Sequence, residues 1–120
     1  IYERYQQDLA DLPISFLPEP ANQGPSHWLT TALLPEQIDP ESLRQHLEQF
    51  NIEARHIWKP MHMQPLFNGS RFISRSSQPV CVKQFANGVC LPSCSQFMDD
   101  ETEQFDHVVE KIRAFNWSQK

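Results

Sequence analysis

The densest run of side chains able to do chemistry is Arg55-His56-Ile57-Trp58-Lys59-Pro60-Met61-His62. Arg55 offers a planar fork that matches a phosphate or a carboxylate. Lys59 adds a point charge, and Trp58 offers a face on which a flat ring can stack. A plainer reading stands beside this one. Charged residues mostly face water, so local residues alone favour Trp58 as core and Arg55 and Lys59 as solvated. Other combinations are weaker. Met61-His62-Met63 has soft donors of the kind that bind Cu(I), but it supplies only three ligands between two rigid prolines. Cys90 and Cys94 with a histidine could hold zinc, though the spacing is uncommon and a second ligand pair is missing. A hydrolase built on Cys90 or Cys94 with His62 is conceivable, but a lone cysteine usually packs as a small apolar residue. Asp99-Asp100 reads as a helix cap rather than an acid/base pair. His46 and His107 lie among polar neighbours on helices and read as exposed.

Composition narrows the classes. The chain has 120 residues with a formal net charge of −5, 39% apolar and 21% charged residues. That is a globular profile and room for one domain. Ten prolines stand against three glycines, Gly24, Gly69 and Gly88, so a glycine-rich phosphate loop is excluded. No basic stripe is present, which argues against nucleic acid as a partner. No run of 18 apolar residues spans a membrane, and no leader pattern opens the chain. Three cysteines without a dense framework suggest reduced thiols and a cytoplasmic setting. The first residue is Ile1, not Met, so the expectation is a processed protein or a piece of a longer one.

The elements that must position these residues follow from periodicity. Tyr2, Tyr5, Leu9 and Leu12 predict a helix over 1–12. Four prolines make 13–26 an extended connector or hinge without an element of its own. Residues 27–34 are rich in β-formers and predict a buried strand. Asp39-Pro40-Glu41 opens a helix with a cap, a suitable first residue and a favourable charge. Its apolar stripe is Leu43, Leu47 and Phe50, and Asn51 ends it in the left-handed region. Residues 52–58 alternate, with Ile52, Ala54, His56 and Trp58 on one side. Residues 66–78 have no period and predict a mobile loop. Pro79 opens a short helix that Asn87-Gly88 closes as a C-cap, and Val89-Cys90-Leu91 is a short strand. Asp100 and Glu103 resemble a capping box before Phe105, Val108, Val109, Ile112 and Phe115. The sum is an α+β fold, a small sheet of about three strands with helices packed against it.

Several strings resemble a known family. Arg55-His-Ile-Trp-Lys-Pro-Met-His62 with Gln64-Pro65-Leu66-Phe67 is similar to an R-x-x-W-K-P-x-H-x-Q-P-x-F stretch. Phe85-Ala-Asn-Gly-Val-Cys-Leu-Pro-Ser93 is similar to F-x-x-G-x-C-L-P-S. Asn51-Ile-Glu-Ala-Arg55 resembles the G-I-x-x-R entry into a strand, with Asn for Gly. Together these resemble the DegT/DnrJ/StrS family of pyridoxal-phosphate-dependent nucleotide-sugar aminotransferases, most closely those making 4-amino-sugars as in bacillosamine-type glycosylation. One departure is His56, where many relatives carry Pro. The resemblance implies the fold of the C-terminal small domain of fold-type I aminotransferases, with 1–12 as the end of an interdomain helix.

It also implies a division of labour. A large N-terminal domain holds pyridoxal phosphate and its Schiff-base lysine, and Lys59, Lys83, Lys111 and Lys120 do not stand in that lysine's context. The resemblance then implies no cofactor and no catalytic residue in this piece, which should be inactive alone. Arg55, Trp58, Lys59 and His62 match the motif nearest the nucleotide-sugar pocket, so a substrate-side role is implied for them. The whole enzyme would be a homodimer passing an amino group, from glutamate, to a 4-keto-sugar. From another class, a free-standing binding module that kept this fold is the alternative, and a small metal-binding protein is a third.

Overall fold

The computed structural model describes residues 1–19, 21–98 and 102–118. The expected capping role of Asp99 and Asp100 and the expectation for Lys120 lie outside these residues. The chain begins with helix α1, Tyr2–Asp8. Strand β1 is Ser15–Phe16 and strand β2 is Thr30–Leu33. Helix α2, Pro40–Glu48, is followed by strand β3, Arg55–His56. Two short 3-10 turns, Met61–Met63 and Pro65–Phe67, precede helix α3, Val80–Asn87. Strand β4, Gly88–Leu91, then leads through a third 3-10 turn, Ser95–Met98, to helix α4, Thr102–Arg113.

The α+β expectation holds, with one strand more than the sequence suggested. All pairings are antiparallel and the sheet order is β1-β2-β4-β3. The extra strand is β1, inside the proline-rich stretch read as a bare connector. Ser15 pairs with Leu33 and Phe16 with Ala32. Two residues at a sheet edge suffice, because prolines elsewhere in the stretch need not donate to a ladder. The Tyr2 hydroxyl donates to the Leu17 carbonyl at 2.5 Å, and the His27 ring stacks on Tyr2 at 4.1 Å. Tyr2 of α1 thus holds the stretch at Leu17 and at the following His27.

Register decides which face each strand residue takes. Opposite residues in an antiparallel pair share a face. Ala32, Val89 and His56 line up on one face, with Thr30 and Leu91 beside them. Thr31, Cys90 and Arg55 line up on the other. The first face carries the core, where Ala32, Val89 and Leu91 join Tyr5, Leu9, Ile38, Leu43, Leu47, Phe105, Val108 and Ile112. Of the helical periodicities read from the sequence, Tyr5, Leu9, Leu43, Leu47, Phe105, Val108, Val109, Ile112 and Phe115 belong to this cluster. α2 starts as expected, with the Asp39 carboxylate accepting from the Glu41 N–H at 2.9 Å. Asn51 takes φ 58°, the left-handed stop its type favours. The first and last helices are joined by Arg113, which donates to both carboxylate oxygens of Asp11 at 2.7 Å and to the Asp8 carbonyl.

Several local expectations are corrected. α1 is shorter than 1–12, although Tyr2, Tyr5 and Leu9 are buried as its period required. Phe50 is not core: it lies past the end of α2, 37% exposed, against His46 and beneath the Lys111 ammonium. His46 is half-buried instead of exposed, with Nε2 2.9 Å from the Lys111 carbonyl. Gly88 is no C-cap. Its φ is −96° and it is already the first residue of β4, so helix passes to strand with no turn between them. Space explains the glycine: a Cβ there would stand 2.6 Å from the Gln84 carbonyl oxygen and 2.5 Å from Ile57 Cδ1. α3 itself buries no residue, and Val80 is 70% exposed. The second face of the sheet carries none of the core cluster: Arg55 is exposed there, Thr31 and Leu33 are half-buried and Cys90 is buried.

Candidate functional site

The second face carries a cleft of about 530 Å³. β2 leads into it through Trp28 and Leu29, β3 brings Arg55, and the end of β4 brings Cys90 and Ser93. Arg55 reaches it because the register places it opposite Cys90, on the side away from the core. Its guanidinium is about three-quarters exposed and pairs with the equally exposed Glu53, Nε to Oε1 at 2.8 Å. An exposed pair of this kind contributes little and exchanges readily for a better anion. Trp58 is 62% exposed, which removes the reading of it as core. The alternation expected over 52–58 breaks after His56. Trp58 leaves the side of Ala54 and lies over the second face, where it also flanks Thr31 and Ile57.

Ser93 fixes the floor of the cleft. Its hydroxyl accepts from the Thr30 N–H at 2.8 Å and donates to the Leu91 carbonyl at 3.0 Å. Beneath it the buried Tyr5 hydroxyl donates to the Pro92 carbonyl at 2.8 Å, and burial pushes that phenol well above its usual range. Cys90 is likewise pushed up by burial, with the nearby Arg55 charge opposing the effect. Its thiol is poorly placed to be a thiolate nucleophile. His56 faces the helices, with Nε2 3.2 Å from the Glu41 carboxylate.

The four residues singled out in the sequence separate into two groups. Arg55 and Trp58 share the cleft. Lys59 and His62 do not line it. The Lys59 carbonyl accepts from Gln64 Nε2 at 3.0 Å, and its side chain makes no ion pair among the described residues. The His62 ring is stacked on Phe72, with centroids 3.7 Å apart and an 18° tilt. Among the described residues no three His, Cys, Asp or Glu side chains come together as a metal site. Sequence reasoning missed Trp28, which it placed in a buried strand. It is 72% exposed, and its ring centroid lies 6.2 Å from that of Trp58.

The described lysines can be tested as a pyridoxal-phosphate site. Such a site needs a lysine amine in a pocket, a carboxylate for the pyridine nitrogen and a cup of phosphate donors. Lys83 is ion-paired to Glu36 at 2.6 Å on the surface. Lys111 pairs with Glu110 and lies over the Phe50 ring, and Lys59 stands outside the cleft. These residues do not fit the group.

Residues 1–113 match the DegT/DnrJ/EryC1/StrS aminotransferase family. The chain belongs to this family. It is 37% identical over 98% of its length to the Bacillus subtilis (strain 168) protein EpsN, assigned by name to the pyridoxal phosphate-dependent aminotransferases. It is 26% identical over 92% of its length to the GDP-perosamine synthase of Vibrio cholerae. Of those two relatives it spans only 32% and 30% of the length. Among solved structures, its fold is similar to the aminotransferase TlmJ from Streptoalloteichus hindustanus, with a TM-score of 0.73 at 19% identity over 94% of this chain and 29% of that one. It is also similar to a DegT/DnrJ/EryC1/StrS aminotransferase from Brucella abortus, with a TM-score of 0.74 at 18% identity over 95% of this chain and 29% of that one. These likenesses carry the α+β fold expected from the sequence.

Proposed function

We propose that this chain is the C-terminal small domain of an aminotransferase that passes an amino group from glutamate to a nucleotide-linked 4-keto-sugar, on the way to cell-surface polysaccharide or glycoprotein glycan. The single observation that carries the reading is the family match across residues 1–113. The relative named for GDP-perosamine supports a nucleotide-linked sugar as the acceptor. Pyridoxal phosphate supplies the electron sink for such amino transfer. It belongs to the part of the longer protein that this chain does not span, and the 120-residue piece alone is inactive.

In this reading the domain positions substrate. Arg55 meets the diphosphate with its fork, exchanging Glu53 for a charge-assisted bond to a more highly charged anion. Trp58 walls the cleft and restricts water around the sugar. Lys59 and His62 approach the nucleotide-sugar from the far side of the same loop when the whole enzyme is assembled as a homodimer in the cytoplasm.

The test is steady-state kinetics of the full-length enzyme with glutamate and a UDP-linked 4-keto-sugar. Arg55→Ala should raise KM for the nucleotide-sugar about tenfold or more, the scale of a charged hydrogen bond, and leave KM for glutamate unchanged. Equal effects on both substrates would make Arg55 structural. Absence of amino transfer by the full-length wild type would overturn the whole reading.

A further inference from the structure

Charge is divided unevenly along the chain. All fifteen Asp and Glu residues lie outside residues 54–98, whereas five of the ten Lys and Arg residues lie within them. Those five are Arg55, Lys59, Arg71, Arg75 and Lys83. The rest of the chain therefore sets five cations against fifteen acids. The cations are too thinly spread to make a basic stripe, but no acid of the same stretch offsets them. The fold keeps the two populations apart. β3 and β4 are neighbours in the sheet, with Arg55 opposite Cys90, so the two ends of the acid-free stretch close on each other. The acids Glu3, Glu41, Glu103, Asp106 and Glu110 belong to α1, α2 and α4, the helices that bring the core to the first face.

The cations of the stretch differ in their partners. Arg55 meets Glu53 and Lys83 meets Glu36, both in exposed pairs. Arg71 and Arg75 are exposed and make no ion pair among the described residues. Arg71 is not remote from the site described above. Phe72 stacks on His62 with centroids 3.7 Å apart, which folds its segment back onto the loop that leaves Trp58. His62 is four residues from Trp58, at most about 14 Å of chain. With the two rings added, Arg71 stands within about 30 Å of Trp58. Arg75 lies in a tight turn, where the Ser74 hydroxyl donates to the Ser76 carbonyl at 2.8 Å and accepts from the Ser76 N–H at 3.2 Å. A span of about 30 Å is the Debye length at about 0.01 M salt, against about 8 Å at 0.15 M. Unpaired charges at this range pull on an approaching anion before contact, and lose their pull as salt rises. The acids of the helices repel the same anion, so the field favours arrival from one side.

We propose that Arg71 and Arg75 are steering residues: standing outside the cleft and touching no substrate, they draw a nucleotide-linked sugar toward it by its diphosphate charge and raise its rate of capture. The inference rests on the nucleotide-sugar reading above and adds how that substrate arrives. A free, neutral sugar gains nothing from the field, so the same two charges favour the nucleotide-linked form.

The experiment is stopped-flow tryptophan fluorescence of the full-length protein mixed with UDP, from about 0.01 M to about 0.15 M salt. Both side chains are exposed, so changing them leaves the core intact. Arg71→Glu with Arg75→Glu should lower the association rate about threefold or more at the low end and leave the dissociation rate unchanged. The difference should close by about 0.15 M. Arg71→Lys with Arg75→Lys keeps the charge and should associate as fast as wild type. An association rate unchanged at low salt overturns the proposal while the nucleotide-sugar reading stands. A faster dissociation that persists at high salt overturns it too, and makes the two arginines contact residues. A lysine variant as slow as the glutamate variant also overturns it, since charge would then not be the cause. If calorimetry shows no UDP binding by the wild type, the nucleotide-sugar reading falls and takes this inference with it.

Discussion

Glu41 occupies the first turn of α2, where a negative charge meets the positive end of the helix dipole. Arg44 donates to both of its carboxylate oxygens at 2.7 Å, and Gln45 adds a bond at 2.9 Å. These bonds, with Arg44 the largest cause, hold its carboxyl down to about 2. In the unfolded chain a glutamate titrates near about 4.3. A depressed carboxyl contributes its full stabilisation above the unfolded value and loses it as pH falls toward the folded one. Glu41→Gln should therefore melt at a lower temperature than wild type at pH 7, and the gap should close between about pH 4.5 and about pH 2. Circular-dichroism melts across that range test it, and a gap that does not change with pH would rule it out. At this scale the sequence disclosed the Asp39-Pro40-Glu41 start because capping is chemistry between near neighbours. It also singled out Arg55, which lies in the cleft. Trp28 was hidden because a tryptophan among β-formers reads as buried, and its exposure depends on what the fold packs around it.

Among the elements, the junction of α3 and β4 is the tightest. Gly88 is chosen for lack of room, since any side chain would strike the Gln84 carbonyl and the Ile57 side chain. Gly88→Ala should cost about 1–3 kcal/mol by overpacking, read as a lower midpoint in urea. Adding Ile57→Val should recover only part of this, because the backbone oxygen at 2.6 Å remains. Full recovery would mean that the side-chain contact alone sets the strain. The helices were legible because their apolar period and caps are local, and α2 and α4 lie where the pattern placed them. β1 was not, because a two-residue strand is made by its partner β2 and not by its own residues. The place of the glycine at the end of α3 was legible, but its extended backbone was not: Asn-Gly after a helix usually marks a left-handed stop, and crowding by Ile57 is invisible in the string.

Among the described residues, α1, α2 and α4 bring the core to one face of the sheet, and Cys90 and Arg55 lie on the other. Residues 68–78, after the Pro65–Phe67 turn, are exposed throughout. Limited trypsin should cut first at Arg71 or Arg75, as gel electrophoresis with mass spectrometry will show. Protection of both would mean that the segment packs on the rest of the chain. Such a cut parts the chain between β3 and β4. In the sheet, however, β4 lies between β2 and β3, so its register with both belongs to the fold and not to the connection. The later piece would carry Val89, Leu91, Phe105, Val108 and Ile112, and the earlier piece Tyr5, Leu9, Ala32, Leu43 and Leu47, into a single core. The protein is in this sense two interleaved half-proteins. Severed at that segment, they should elute together on gel filtration, and expressed as separate chains they should find each other and rebuild the sheet.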